Sequence, residues 1–315
     1  VGPPRYTTGL HELGDGLHVW LQPDGGWGWS NAGLVRGDGA SLLVDTLFDP
    51  DLTARMLESM APLTDDAPLA TLVNTHANGD HCYGNGLVPE AESITSAAAA
   101  EEMEAVPPPL LHALVSTDFG DPVLEGYLRD AFGPFRFEGV EVPAPDRTFS
   151  GRLSLRVGGV EVELLELGPA HTAGDVVVHV PSAATAFVGD LAFIGGTPIV
   201  WAGPVSGWLA AIDAVVGLGI DTVVPGHGPV CGPAELLDVA GYLSMVEREA
   251  TARFEAGMPA EAAVVDIDLG PFAAWGEWER IVVNVDTVYR HLDPSRPPTD
   301  VVTLFSRMAH LRAGR

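Results

Sequence analysis

Apolar and polar positions alternate along the first part of the chain. Residues 16–23, 31–36 and 41–45 read as adjacent antiparallel strands, with Asp38–Gly39 turning the last pair. Asp49–Pro50–Asp51 has the signature of a helix start, and the apolar spacing carries that helix to about Met60. Residues 70–74 form a buried strand, and Ala/Glu content makes 97–105 helical. Residues 106–140 break the pattern with Pro107–Pro108–Pro109, scattered aromatics and Gly-Pro steps, so an inserted cap of short helices is expected there. Strands resume at 152–157, 160–166, 176–180, 184–188 and 221–224, with a helix over 206–217. Helices are expected from about Pro233 to Ala256 and from about Trp275 to His291, with a short one toward the C-terminus.

Two blocks of strands, each followed by helices, imply two sheets packed face to face with helices outside. No linker and no repeat of 20–50 residues interrupts them. Residues 1–315 are therefore expected to form one domain, with the cap at 106–140 and a helical extension over 233–315.

Composition narrows the function. The 315 residues carry a formal charge of −27, and every one of the 16 basic residues is arginine. Such a surface repels phosphodiester backbones, so a nucleic-acid partner is not expected. No apolar run approaches the roughly 18–20 residues of a membrane span, so no membrane partner is expected. Two cysteines, Cys82 and Cys231, do not make a disulfide framework and are expected to be small structural residues. The start, Val-Gly-Pro-Pro-Arg, has no signal-peptide pattern and no initiator Met. A cytoplasmic enzyme is the expectation, with a lost leader and the oligomeric state left open.

The chemistry is concentrated after the strands. Residues 75–86 read Thr-His-Ala-Asn-Gly-Asp-His-Cys-Tyr-Gly-Asn-Gly, placing His76, Asp80 and His81 within six positions at the end of a buried strand. Imidazole and carboxylate together suit divalent transition metals. His171 in Gly-Pro-Ala-His-Thr, Asp190 after Gly189, and His227 in Pro-Gly-His-Gly-Pro each follow a strand. A rigid sheet can aim such residues at one point. No Gly-x-Ser-x-Gly elbow competes with them.

In order and spacing this set resembles the metallo-β-lactamase superfamily over most of residues 16–231. The resemblance implies an α/β fold, the αββα sandwich of two mixed sheets with outer helices. It implies one metal site from His76, position 78 and His171, and a second from Asp80, His81, His227 and the bridging Asp190. The family's second histidine is Asn78 here. A neutral carboxamide is a poorer ligand than imidazole for zinc-like ions, so the second site is expected to bind more tightly. Asn78 is then a weak ligand or a substrate contact. The cofactor is a divalent metal, zinc by default with manganese or iron also compatible, as one ion or two. Asp45 resembles the family's supporting carboxylate, and Trp27 and Trp29 lie in a loop resembling its flexible, substrate-facing first hairpin. Tyr83 is positioned either to donate to an oxyanion or to pack.

The implied reaction is hydrolysis of an ester, thioester, lactone or related acyl bond in a small molecule, with Asp80 orienting the attacking water as the catalytic carboxylate. The alternative is a metal-dependent aldol cyclase with thioesterase-like ability, as in aromatic polyketide pathways. The cap aromatics Phe119, Tyr127, Phe132, Phe135 and Phe137 fit a hydrophobic substrate under either reading. Arg280, Asn284 and Tyr289 share a helical stretch and are expected to pack.

Overall fold

The computed structural model describes residues 3–105 and 107–314. Val106, the expected first residue of the cap, lies outside the described residues, as do Val1, Gly2 and Arg315. The first sheet has seven strands in sequence order: β1 (Gly9–Gly14), β2 (Leu17–Leu21), β3 (Ala32–Arg36), β4 (Ser41–Val44), β5 (Leu69–Val73), β6 (Glu92–Ser96) and β7 (Arg147–Phe149). Its first four strands are antiparallel, and β4 through β7 run parallel. The second sheet comprises β8 (Arg152–Val157), β9 (Val160–Glu166), β10 (Val176–Val180), β11 (Thr185–Phe193) and β12 (Thr222–His227). Only β11 and β12 pair in parallel there.

Alternation along the strands builds the layers. Leu17, Val19, Leu21, Leu42 and Val44 from the first sheet meet Val162, Leu164, Val176, Val178 and Phe187 from the second in one buried cluster. Gly33 is required at this interface, because a Cβ there would strike the Phe187 ring. The outer faces join a second cluster with the helices. These are α1 (Pro50–Thr64), α2 (Gly79–Cys82), α3 (Ala97–Ala105), α4 (Pro108–Ser116), α5 (Pro122–Phe132), α6 (Val205–Val216), α7 (Pro233–Glu255), α8 (Ala260–Asp266), α9 (Ile281–Leu292) and α10 (Val301–Ala313). Helices therefore flank two mixed sheets, as expected. No helix among the described residues is long and apolar enough to cross a membrane.

Most predicted elements lie within a few residues of their places, and the differences have causes. The Asp49 side chain accepts from Leu52 N at 2.8 Å and starts α1, but Pro62 sits within its last turn and does not stop it. The helix expected from Trp275 begins only at Ile281. Gly276 instead pairs with the 195–197 segment, where Thr197 N donates to Gly276 O at 2.8 Å, and Glu277 takes φ 50°. Strands β1, β6 and β7 lack the apolar alternation that marks their neighbours; β1 is a half-exposed edge and β7 has only three residues.

Candidate metal centre

The sheets deliver six side chains to one cleft. His76 follows β5, Asp190 lies within β11, and His227 ends β12. Asp80 and His81 ride on the single turn of α2, and His171 comes from the β9–β10 loop. All six are buried. Two groups have their ligand atoms within 4.8 Å of one another: His76, His171 and Asp190, and Asp80, His81 and His227. Asp190 touches both. Its Oδ1 lies 3.1 Å from His81 Nε2, and its Oδ2 lies 3.3 Å from His171 Nε2, 3.5 Å from His227 Nε2 and 3.7 Å from His76 Nε2. Gly226 makes room for this carboxylate, since a Cβ there would overlap Asp190 Oδ1.

Each ring is held from behind by an acceptor at Nδ1, which turns Nε2 inward. His81 Nδ1 reaches Asp45 Oδ2 at 2.9 Å, His171 Nδ1 reaches Ile199 O at 2.7 Å, and His227 Nδ1 reaches Gly25 O at 3.1 Å. His76 Nδ1 lies 3.0 Å from Thr75 Oγ1, which itself donates to Asp45 Oδ2 at 2.8 Å. Asp45 thus supports two rings through one carboxylate, from a strand-end position at φ 62°. It is a supporting group, as expected. His76 Nε2 is buried without a hydrogen-bond partner, and His81 Nε2 and Asp190 Oδ1, though 3.1 Å apart, are not aligned to bond each other. Leaving such an atom unpaired costs about 1–3 kcal/mol. Three together, amid nitrogen and carboxylate donors, are what a divalent cation would satisfy, and the donor set fits one.

Charge divides the cleft. Burial, reinforced by His81, holds His76 well below the ordinary imidazole range. His171 is also pushed down, by burial against an opposing pull from Asp190. Burial likewise opposes charge on His81, but Asp190, Asp45 and Asp80 outweigh it and raise the ring well above its usual range. His227, buried but facing Asp190 and Asp80, is raised to about 9. The carboxylates that raise these two rings are the ones that would also hold a cation. Burial would raise the Asp190 carboxyl, yet His227, His81 and His76 hold it well below the usual range.

Asn78 sits at the N-cap of α2 but does not cap it. Its side chain turns inward, and Nδ2 lies 3.0 Å from His171 Nε2. With the His171 Nδ1 proton committed to Ile199, the amide donates to the lone pair that would otherwise face a cation.

The cleft opens into a pocket of about 370 Å³, lined by Asp80, His171, Asp190 and His227 and by aromatic rings. Trp27 and Tyr83 line it, but Trp29 does not: its ring packs on Phe135 at 4.8 Å. The expected flexible hairpin is pinned instead, because Asn31 Nδ2 donates to Pro225 O and Gly228 O at 3.0 and 2.8 Å, and Gly25 O holds His227. Of the five cap aromatics only Phe132 reaches the pocket, joined by Leu111. Phe135 and Phe137 pack on Phe48 instead. Asn284 and Tyr289 pack as expected, with Asn284 bonded to Val200 N and Pro198 O. Arg280 departs from that expectation and lines the pocket, as do Glu102, Phe48, Trp201 and Phe305. Phe305 belongs to the buried face of α10, and nothing in its sequence spacing ties that face to this cleft. Cys82 is buried with Sγ 3.5 Å from Ala77 O, and burial beside Glu235 pushes the Cys231 thiol up to about 12. Neither belongs to a ligand group. A larger groove of about 520 Å³ between α8, α9 and α10 includes none of the six candidate ligands in its lining.

Known proteins share this fold. The family model described as "Metallo-beta-lactamase superfamily" matches residues 25–227. The alpha subunit of 2,4-dinitroanisole O-demethylase from Nocardioides sp. (strain JS1661) is 26% identical over 216 residues, which are 66% of this chain and 55% of that protein. The stereoselective inverting sec-alkylsulfatase from Pseudomonas sp. superposes with a TM-score of 0.68 at 17% identity, covering 93% of this chain and 52% of that one. A metallo-beta-lactamase from Pontibacter korlensis superposes with a TM-score of 0.57 at 19% identity, covering 76% of this chain and 99% of its own. The chain thus spans about half the length of the demethylase subunit and of the sulfatase.

Proposed function

The chain belongs to the metallo-beta-lactamase superfamily, and from that premise we propose that it is a metal-dependent hydrolase of a C–O or C–S bond in a small, largely apolar molecule, with an acyl ester or thioester as the first candidate. The observation that carries the reading is the convergence of four imidazole Nε2 atoms and two carboxylates beside an aromatic pocket of about 370 Å³, with Asp80, His171, Asp190 and His227 in its lining. Asp80, His81, His227 and Asp190 would hold one divalent ion, and His76 and His171 with Asp190 a second. When bound, a divalent ion supplies Lewis acidity, lowering the pKa of water from about 15.7 toward roughly 7 and stabilising negative charge on oxygen.

The remaining work falls to the chain itself. Asp80, 3.3 Å from His227 Nε2 through Oδ2, can orient a water by accepting a hydrogen bond from it. Phe48, Trp27, Phe132 and Phe305 exclude bulk water and hold an apolar body beside the cleft. The demethylase relative, named for an aryl methyl ether, supports an activated aryl ether as a second substrate class for the same pocket.

Purified protein loaded with zinc or manganese is assayed against aryl esters, acyl thioesters, lactones, a chromogenic β-lactam, a nitroaryl methyl ether and a bis-phosphodiester. Turnover should favour the uncharged acyl compounds over the phosphodiester by a wide margin. Strong phosphodiester cleavage without acyl hydrolysis overturns the reading. Silence on every hydrolytic substrate, with metal bound, moves weight to the aldol cyclase alternative.

A further inference from the structure

Arg280 is the one cationic side chain other than histidine among the described residues lining the pocket. It is 1% exposed, a state that arginine reaches only with compensation. Its compensation is incomplete. Nη1 donates to Thr197 O at 2.9 Å, but Nε has no hydrogen-bond partner. The carboxylate nearest Nη2, on Glu277, lies at 3.8 Å, beyond hydrogen-bonding reach. The adjacent Glu279 is engaged elsewhere, accepting from Tyr127 at 3.1 Å and meeting Arg312 at 3.3 Å. Otherwise the guanidinium is held by rings, lying 4.2 Å from the Trp27 centroid and 5.3 Å from that of Phe193. Phe193 in turn stacks on His227 at 5.0 Å and 4°. Arg280 directly follows the break at Gly276–Glu277 that delays α9.

We propose that Arg280 is a specificity-determining residue that receives a carboxylate on the substrate, at the aromatic wall of the pocket and apart from the bond to be broken. This rests on the hydrolytic reading of the same cleft. A planar fork with spare N–H donors, held over an indole, suits a carboxylate's paired oxygens. The buried setting strengthens the pairing, while the overall charge of −27 is screened beyond roughly 8 Å at physiological salt. The preferred substrate is then an apolar acid bearing a second, hydrolysable group.

The test compares 4-carboxyphenyl, 4-nitrophenyl and 4-methylphenyl acetates with the metal-loaded protein, and measures inhibition of their turnover and quenching of tryptophan emission by benzoate and by benzamide. The wild type should prefer the carboxylated ester over the methyl one and bind benzoate over benzamide, each by about tenfold to a hundredfold, as charge-assisted hydrogen bonds give. Arg280→Met should collapse both preferences, and Arg280→Lys should retain part of them. Glu277→Gln leaves the guanidinium in place and removes its loose competitor, so benzoate should bind severalfold tighter; this keeps the proposal testable if Arg280→Met fails to fold by thermal melting. A nitro ester favoured as strongly as the carboxylate, once its better leaving group is normalised against Arg280→Met, overturns the requirement for charge. Equal benzoate binding by wild type, Arg280→Met and Glu277→Gln places the anion elsewhere and overturns the proposal. If no ester is hydrolysed the hydrolytic reading fails, and benzoate quenching still decides the role of Arg280.

Discussion

On one side of Asp190, His81 and His227 face the cleft together with Asp80; on the other, His76 and His171 face it together with Asn78. Both sides take their rings from loops at strand ends and lock them by hydrogen bonds at Nδ1. They differ in charge. The first side has Asp80 and, behind His81, Asp45 as well as the shared Asp190. The second has Asp190, an amide that occupies a ring lone pair, and Asp45 only at one remove, through Thr75. A unit charge pair 4 Å apart is worth about 4 kcal/mol at an effective dielectric of 20. Breaking the Asn78–His171 hydrogen bond costs about 1 kcal/mol net. The missing carboxylate therefore weighs more than the occupied lone pair, and both point the same way. One half of the centre would then keep a cation and the other would hold it loosely.

The largest effects should come from the carboxylate-rich half. Asp80→Ala and His227→Ala should each abolish turnover and remove the tightly held ion, by more than the 10–100-fold typical of a residue supporting a ligand from behind. Asn78→Ala in the other half should cost far less. Metal titration followed by isothermal calorimetry reads the difference, and equal losses from Asp80→Ala and Asn78→Ala would erase the distinction between the halves.

Much of this was legible in the sequence because the ligands follow strands whose apolar runs are unmistakable. His76, Asp80, His81, His171, Asp190 and His227 are marked by type and by their places after strands, the resemblance to the superfamily joins them into one set, and the structure brings all six together. Asn78 was visible as a departure, though its bond to His171 was not, since rotamers leave no mark on spacing. The pocket walls were read less well. Trp29 and four of five cap aromatics pack away from the cleft, because aromatic composition marks burial without direction. Arg280 was hidden by a helical pattern that runs smoothly through 275–291, whereas a backbone bridge from Gly276 to Gly196 interrupts it. Such a long-range pairing has no local signal.

A smaller effect should follow from the support behind the tighter half. Asp45→Asn keeps the shape but removes the charge opposite His81 Nδ1, 2.9 Å away. Metal affinity should fall by about 10–100-fold, with the thermal midpoint of the metal-loaded protein lowered accordingly. Unaltered affinity would leave Asp45 a merely structural residue.

The smallest and most informative change is Asn78→His, which should add a ligand to the looser half and raise its occupancy. Turnover should hold or rise severalfold if Asn78 is only a weak ligand. More metal with slower turnover would assign the amide a substrate contact, and unchanged metal content would show that position 78 does not govern that half.

The inequality of the halves is read most directly by elemental analysis of the wild-type protein, loaded with excess zinc and then dialysed mildly against metal-free buffer. Nearer one ion than two per chain should remain, with the second lost at low chelator concentration. Two firmly retained ions per chain would contradict the account, because Asn78 and the single shared carboxylate would then suffice to hold a cation as tightly as Asp80, His81 and His227 do.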